Sequence, residues 1–352
     1  MANIYDVAKE ARVSLATVSA VVNDSAYVSP GLKTRVTAAI QKLGYQPNLL
    51  ARGLAKQQTR TIGMIAPNIA NPFWPEVVRG VEDAVHAAGY TLLLASNDDD
   101  RAKEARYLRM FLAKRVDGLL VTKAVGPLDP EVASLVRTAK TPVVQLMRST
   151  SSFSGDKVLV DEREGVYEGV AHLLRMGHRR VAMINGVEKV STSEQRLEGY
   201  RDALRDWNIP VDPALVAHGD FRIESGYVRG VQLLKQKPDA MFVGNYLMTV
   251  GFMRALRQYQ LRCPEDIAIV TCDDHPWLDS FHPRLTTVNL PKYELGQTAA
   301  QTLVRRLQPE DGPPSKRGQT LTLKTALCLR ESCGYELKRS ASSIGESGLD
   351  RY

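Results

Sequence analysis

Residues 4–23 read IYDVAKEARVSLATVSAVVN, and their spacing predicts two short helices that meet at a tight turn. The first helix is marked by apolar residues at helical spacing: Ile4, Val7, Ala8 and Ala11. The pattern breaks at Val13 and Ser14 and resumes from Thr17 to Val22. The Ser14 hydroxyl is placed to cap the second helix by accepting from an amide at about Thr17. This stretch therefore predicts a helix-turn-helix.

A third helix is predicted from Pro30 to Leu43, with Gly44 as its stop signal. Three helices within about 46 residues form an all-α three-helix headpiece. In such a fold the second helix enters the major groove of DNA, so Leu15, Ala16 and Ala20 are expected to face bases. Side chains better suited to phosphates or to helix packing are Ser14, Thr17, Ser19 and Asn23. The alternative is a generic three-helix bundle, because short amphipathic helices need not bind DNA.

Positive charge is concentrated at the same end of the chain. The 352 residues carry a formal charge of +7, while the first 60 contain eight Lys or Arg and three Asp or Glu. Concentrated positive charge on a small module is what phosphate contacts require, although a solvated face would have a similar composition.

After Thr61 the pattern changes to apolar strands that alternate with amphipathic helices, which is typical of a parallel α/β fold. The predicted strands are Ile62–Ala66, Thr91–Ala95, Gly118–Thr122, Val143–Leu146, Val181–Asn185, Met241–Gly244 and Ile267–Cys272. The pattern repeats after Lys157, which predicts two similar lobes. Ligands of such sheets bind at the carboxyl ends of the strands, here facing a cleft between the lobes.

Composition excludes several classes. A hydrophobic content of 44% without a long apolar run predicts no membrane span, and the N-terminal residues lack the order of a secretory signal, so we expect a cytoplasmic protein, associated with the nucleoid. The four cysteines have neither CxxC spacing nor clustered histidines, so we expect no metal site, no disulfide framework and no cofactor. The acidic run 98–100 precedes a helix and favours a helix cap over a cation site.

The chain resembles the LacI/GalR family through IYDVAKEARVSLATVSAVVN (4–23), VSPGLKTRVTAAIQKLGYQPN (28–48) and LLARGLA (49–55). The similarity continues through NPFWPEVVRGVEDAVHAAGYTLLLAS, MGHRRVAMING, QRLEGYRDAL, PEDIAIVTCDD and PRLTTVNLP. It implies a headpiece at 1–46, a hinge helix or linker at 47–60, and an effector-binding and dimerisation domain at 61–335. That domain would have the α/β two-lobed periplasmic-binding-protein-like type I fold. The polar tail 336–352 is predicted to be disordered.

In this family the hinge segment folds on DNA beside its twin from a second subunit, and a leucine wedges into the minor groove. Leu54 matches that leucine, whereas Gly53 supports the alternative of a flexible linker. With the headpiece, the resemblance implies further DNA contacts at Tyr5, Asn48, Ala51 and Arg52. The expected partners are double-stranded operator DNA, read as a near-palindrome by a homodimer, and a small-molecule effector, a sugar or sugar acid.

Motif matches also imply effector-binding residues. These are Asn71, Phe73, Trp74, Thr122, Lys123, Arg148, Arg196, Phe221, Asn245 and Asp273. The aromatic pair could stack on a ring while Arg196, Asn245 and Asp273 form hydrogen bonds with it. Each has a structural alternative, because an aromatic before Pro75 can staple a helix and Asp273 can cap one.

Four positions depart from the family pattern. Arg12 replaces the usual glycine of the turn, and Ala20 replaces a frequent arginine, so we expect an unusual half-site. In the cleft, Met147 and Tyr246 replace acids that precede the arginine and follow the asparagine. Loss of these acids, with Arg148, Arg196, Lys123 and Lys292 retained, leads to the hypothesis of an anionic effector such as a sugar acid.

The expected function is a ligand-responsive transcriptional regulator, in which an effector shifts lobe closure and, by linkage, operator affinity. An enzyme is the main alternative, but the sequence has no P-loop, no GxSxG motif and no metal-spaced histidines. The second alternative is a free-standing solute-binding protein, against which the basic headpiece argues.

Overall fold

The computed structural model describes residues 2–45, 58–280, 282–308 and 318–335. By their contacts the residues divide into two compact units, 1–60 and 61–352, which are described separately. Within the described ranges, no helix combines the length and apolar character needed to cross a membrane. The predicted tail 336–352 and most of the predicted hinge lie outside the described residues.

The described residues of the smaller unit form three helices, α1 (Ile4–Ala11), α2 (Leu15–Asn23) and α3 (Pro30–Leu43). Their ends follow from local chemistry. The Thr17 amide donates to the Ser14 hydroxyl at 3.1 Å, which confirms the predicted cap of α2. Gly44 ends α3 with a left-handed φ of 56°, also as predicted. A small core holds the three helices together: Val7, Ala8, Ala11, Val18, Val36 and Ala39.

The turn between α1 and α2 is left-handed at Arg12, with φ 51° and ψ 50°. A residue with a Cβ atom is disfavoured there by about 1 kcal/mol relative to glycine. The Arg35 guanidinium stabilises the turn by donating to the carbonyl oxygens of Ala11 at 2.5 Å and Arg12 at 3.1 Å. In this chain, Arg12 therefore occupies a left-handed backbone position that favours glycine.

In the larger unit, the residues that the structure describes form two six-stranded sheets. The strands are β1 (Thr61–Ala66), β2 (Thr91–Ser96), β3 (Gly118–Val121), β4 (Val143–Leu146), β5 (Asp156–Val160), β6 (Val181–Asn185), β7 (Val216–His218), β8 (Ala240–Val243), β9 (Ala268–Cys272), β10 (Thr286–Asn289), β11 (Thr320–Leu323) and β12 (Ala326–Cys328). The helices are α4 (Phe73–Ala87), α5 (Arg101–Ala113), α6 (Pro130–Ala139), α7 (Glu162–Arg175), α8 (Ser191–Asp206), α9 (Ile223–Leu234), α10 (Tyr246–Gln258) and α11 (Lys292–Leu307). Short 3₁₀ turns occupy Pro213–Leu215, Pro276–Ser280 and Glu331–Cys333.

The two sheets share one topology. The first has the order β2-β1-β3-β4-β5-β11 and is parallel throughout; the second has the order β7-β6-β8-β9-β10-β12 and is parallel except between β10 and β12. All seven predicted strands are confirmed to within one residue at each end. Sequence reasoning missed β5, β7, β10, β11 and β12.

Along its described residues the chain crosses between the lobes three times, after β5, between β10 and α11, and between β11 and β12. α11 consequently packs on α4 of the first lobe although it follows most of the second lobe in sequence. The central core runs along both sheets and includes Met64 and Leu146 from the first and Met183 and Phe242 from the second.

Two helix pairs approach closely through a glycine on each of the two helices. A Cβ on Gly80 of α4 would lie 2.1 Å from the Tyr293 carbonyl oxygen, and one on Gly296 of α11 would lie 2.0 Å from that of Val77. The pair α9 and α10 has the same reciprocal arrangement through Gly226 and Gly251. A side chain at any of these positions would therefore collide with backbone, which cannot move aside.

Candidate functional site

A cleft of the larger unit lies at the carboxyl ends of the strands of both lobes, where the topology predicts a ligand site. It contains about 520 Å³ of empty space, including open solvent at its mouth. Its lining residues are Pro67, Asn68, Asn71, Phe73, Trp74, Asp99, Met147, Arg148, Thr192, Arg196, Phe221, Asn245 and Asp273. Eight of the ten predicted effector-binding residues are among them.

The first lobe supplies an aromatic corner at the start of α4. The rings of Phe73 and Trp74 meet edge to face with centroids 5.2 Å apart, and both residues are buried. The Asn71 side-chain oxygen accepts from the Phe73 amide at 3.1 Å and fixes the helix start. Apolar ring surface of this kind packs against the C–H groups of a bound ring.

The second lobe supplies the facing polar groups. Asn245 caps α10 by accepting from the Met248 amide at 2.9 Å, and its NH₂ group donates to the Phe221 carbonyl oxygen at 3.1 Å. Asp273 accepts from the Tyr246 amide at 3.3 Å, at the start of the same helix. Asn245 and Asp273 thus both have a structural role at the start of α10, and both also line the cleft.

Arg196 is held by a buried carboxylate behind the cleft. Its Nε and Nη2 donate to the two Glu162 oxygens at 2.7 and 2.8 Å, and its Nη1 donates to the Gly244 carbonyl oxygen at 2.6 Å. Both side chains are almost fully buried. Such a bidentate pair fixes the plane of the guanidinium, which orients its remaining edge.

Arg148 is paired with Asp99, a residue that sequence reasoning did not assign to the cleft. Nη1 of Arg148 forms a short contact with Asp99 Oδ1, and its Nη2 donates to Asp99 Oδ2 at 3.3 Å. The Phe221 ring lies beside both arginines, with its centroid 5.7 Å from Cζ of Arg148 and 5.8 Å from Cζ of Arg196. The Phe221 ring and the guanidinium groups of Arg148 and Arg196 thus surround the same part of the cleft.

Strained backbone is concentrated in the same place. Asp99, Met147, Phe221 and Asp273 all have left-handed φ values, of 61°, 66°, 64° and 75°. For Met and Phe this region is rarely populated, and such conformations cluster at binding sites because the surrounding structure must enforce them.

Two predicted residues do not line the cleft. The Thr122 hydroxyl donates to the Leu146 carbonyl oxygen at 2.9 Å, and Lys123 forms a buried ion pair with Glu104 at 2.9 Å. Both side chains are buried among partners of their own lobe. Conversely, Pro67, Asn68, Asp99 and Thr192 line the cleft without having been predicted. The first three lie on loops that carry no distinctive pattern, and Thr192 lies in the first turn of α8.

The prediction that the cleft carries an excess of positive charge is wrong. Each of the four cations has an acidic neighbour: Arg148 pairs with Asp99, Arg196 with Glu162, Lys123 with Glu104, and Lys292 with Glu76 at 3.8 Å. Asp98 and Asp100 of the same acidic run act differently from Asp99. Asp100 caps α5 as expected for a residue preceding a helix, and Asp98 pairs with Lys103.

Burial raises the pKa of Asp273 to about 6, although the positive charges of Arg196 and Lys292 act in the opposite direction. The unfolded chain releases this proton near pH 4. The folded chain binds it more tightly, so this carboxyl stabilises the fold at acid pH, and that contribution is lost as the pH rises from about 4 to about 6.

We therefore expect Asp273→Asn to raise the free energy of unfolding relative to wild type at pH 7.5, on the order of 2 kcal/mol, and to have little effect at pH 4. Unfolding midpoints of the two proteins at several pH values between 4 and 7.5 measure the difference. A difference independent of pH would contradict the assignment.

The predicted DNA-binding residues of the smaller unit form two groups. Tyr5 and Leu15 are 67% and 38% exposed, and Ser14 and Ala16 are also exposed, so the start of α2 presents an open surface. Thr17, Ser19, Ala20 and Asn23 are half-buried, and the Asn23 amide donates to the Ser19 carbonyl oxygen at 2.9 Å. These contacts give Ser19 and Asn23 a packing role.

The hinge residues Asn48, Ala51, Arg52 and Leu54 lie outside the described residues, and their DNA contacts remain predictions. Among the described residues, all four cysteines are free and no group of His, Cys, Asp or Glu side chains could hold a metal ion.

Comparisons with known proteins cover both units. Residues 3–48 match the family described as bacterial regulatory proteins, lacI family, and residues 170–333 match a periplasmic binding protein-like domain. The ribose operon repressor of Escherichia coli (strain K12) is 37% identical over 336 residues, covering 94% of this chain and 100% of that protein. The HTH-type transcriptional repressor PurR of Pectobacterium carotovorum subsp. carotovorum (strain PC1) is 37% identical over 312 residues, with 87% and 91% covered.

Solved structures show the same architecture. The structure of the lac repressor dimer bound to operator and the anti-inducer ONPF has a TM-score of 0.82 and 29% identity, covering 94% of this chain and 99% of that chain. The similarity thus extends over the smaller unit and both lobes of the larger one.

Proposed function

This chain belongs to the lacI family of bacterial regulatory proteins, and from that membership we propose that it represses transcription by binding a near-palindromic operator as a homodimer. Family membership makes it a DNA-binding, ligand-responsive transcriptional regulator. It also sets aside the enzyme alternative, since the named relatives are transcriptional repressors. The attached headpiece argues against a free-standing solute-binding protein.

One observation carries the proposal: a single chain joins an exposed helix-turn-helix surface to a cleft lined by polar and aromatic groups. The start of α2 meets the major groove through Ser14, Leu15 and Ala16, while Arg12 and the neighbouring lysines neutralise phosphates. A dimer supplies two such surfaces, so the operator has two related halves. Leu54 contacts the centre of the operator, between these halves. The solved relative bound to operator is also a dimer.

The effector is a small carbohydrate-like molecule, a sugar or sugar acid. Aromatic rings beside arginines, carboxylates and amides suit a ligand that has an apolar ring face and a hydroxyl rim. One relative is named for the ribose operon, which agrees with this chemistry. Binding favours one arrangement of the lobes, and the differential affinity changes operator binding by linkage.

The decisive experiment is selection of operator sites from random double-stranded DNA with the full-length protein, followed by mobility-shift titration of the recovered site. We expect a two-fold symmetric site, a steep fall in affinity with salt, and a change in affinity on addition of the effector. Absence of any binding at low salt, with or without ligand, would overturn the proposal.

Arg12 offers a separate test of the headpiece surface. Arg12→Gly relieves the left-handed backbone, so the smaller unit should gain about 1 kcal/mol of stability. It also removes a positive side chain from the DNA-facing turn, so operator affinity should fall and the slope of log affinity against log salt should decrease by about 1. Thermal unfolding and salt-dependent mobility shifts measure the two effects. Arg12→Lys keeps the positive charge and the left-handed backbone strain, so stability and operator affinity should both stay near the wild-type values.

A further inference from the structure

Asp99 lies at the edge of the cleft, and we propose that it makes the site selective for a neutral polyhydroxy effector over the corresponding sugar acid. This inference rests on the proposed function and specifies its ligand class. It replaces the anionic effector expected from the sequence. Because residue 147 is methionine, the position before Arg148 has no acid. Asp99, on another loop, places a carboxylate beside Arg148 instead.

The position of Asp99 is set by its own loop. Its amide donates to the side-chain oxygen of Asn97 at 2.9 Å, and Asn97 is fully buried. The left-handed conformation of Asp99 and this bond hold its backbone. Its side chain is 25% exposed, whereas that of Arg148 is 9% exposed. The carboxylate is therefore fixed against Arg148 and remains within reach of a ligand.

The pairing occupies the guanidinium edge that a ligand carboxylate would need. Both Nη atoms of Arg148 contact Asp99, and Nη1 also donates to the Lys123 carbonyl oxygen at 3.0 Å. A carboxylate effector would have to displace Asp99 or lie against its negative charge. A hydroxyl group can instead donate to a carboxylate oxygen while accepting from a guanidinium N–H, because it has both functions.

The wider charge balance favours the same ligand class. The residues that line the cleft carry two guanidiniums, Arg148 and Arg196, and two carboxylates, Asp99 and Asp273. An added anion would turn this balance negative whenever Asp273 is ionised. A neutral ligand leaves this balance unchanged and retains every existing pair.

The test compares wild type, Asp99→Asn and Asp98→Asn as full-length proteins. Asp98→Asn is the matched control. It removes the same charge at the neighbouring residue, where Asp98 forms a surface ion pair with Lys103. Each protein is titrated by tryptophan fluorescence and calorimetry with D-ribose and D-ribonate, D-glucose and D-glucuronate, and D-galactose and D-galacturonate. The measured quantity is the ratio of the dissociation constants within each pair.

We expect wild type and Asp98→Asn to prefer the neutral member. Asp99→Asn should shift the ratio toward the acid by roughly tenfold to hundredfold, the range provided by one charge-assisted hydrogen bond. A wild-type protein that prefers the acid, or an unchanged ratio in Asp99→Asn, would overturn the inference.

A second arm is independent of the sugar. At constant ionic strength, sulfate in place of chloride raises the unfolding midpoint of proteins in general. It should raise that of Asp99→Asn by more than that of wild type or Asp98→Asn, because only that variant leaves Arg148 without its carboxylate. If no sugar or sugar acid binds any of the proteins, the carbohydrate effector of the proposed function is wrong. The sulfate result then decides the role of Asp99, and equal shifts in all three proteins would refute it.

Discussion

Replacement of Arg196 by leucine is expected to reduce the free energy of unfolding of the larger unit by about 3–5 kcal/mol. The change removes three hydrogen bonds of 2.6 to 2.8 Å and leaves the Glu162 carboxylate buried without its partner. Denaturant unfolding followed by tryptophan fluorescence measures the loss. The same variant should lose effector binding, since Arg196 lines the cleft.

The double variant Arg196→Leu with Glu162→Leu separates stability from binding. Removing both charges leaves neither member of the Arg196–Glu162 pair buried without its partner, so most of the lost stability should return. Effector binding should not return, because the guanidinium is still missing. If the double variant is as unstable as Arg196→Leu, the unpaired carboxylate is not the cause. If it binds effector normally, Arg196 has only a structural role.

A methyl group at Gly296 should destabilise the larger unit by about 3 kcal/mol, at the upper end of what overpacking costs. In Gly296→Ala the new Cβ would lie 2.0 Å from the Val77 carbonyl oxygen, so α11 and α4 must separate. The intrinsic preference of a helix for alanine over glycine, about 1 kcal/mol, is too small to offset this. Because α4 carries Phe73 and Trp74, effector affinity should fall as well.

Gly31 provides the matched control for this substitution. It lies in α3 with no atom near the position of a new Cβ, so Gly31→Ala should be neutral or slightly stabilising. Unfolding midpoints of both variants, with effector titrations of Gly296→Ala, make the comparison. Equal midpoints for Gly296→Ala and wild type would show that the two helices are not held at this distance.

Most of the architecture was predictable because its signals are local. Buried parallel strands such as Val181–Asn185 are continuous apolar runs, and the ends of α2 and α3 are marked by Ser14 and Gly44. Strand length does not explain which strands sequence reasoning missed, since β3, β4 and β8 have four residues each and were predicted. β11, with the sequence TLTL, is only half-buried at a sheet edge, so its hydrophobic pattern is weak. Its pairing depends on a partner 163 positions away, which no local pattern contains.

The candidate site was predictable for residues at strand ends and less so for loops. Arg148 and Asp273 follow buried strands, Arg196 lies in the second turn of α8 within the motif QRLEGYRDAL, and the structure brings the three together. The pairing of Arg148 with Asp99 could not be derived, because it joins loops 49 positions apart. The expected surplus of positive charge failed for this reason: composition counts charges but does not show which ones are neighbours.

The three crossings between the lobes bear on how the protein is made. β11 completes the edge of the first sheet by pairing in parallel with β5, from Thr320 opposite Lys157 to Leu323 opposite Val160. During synthesis, the ribosome releases this strand only after nearly all of the second lobe. The nascent first lobe must therefore expose an unpaired strand while the second is translated, a state that is slow to resolve and prone to aggregation. We expect the yield of folded protein to depend on chaperones and on translation speed across residues 160–320.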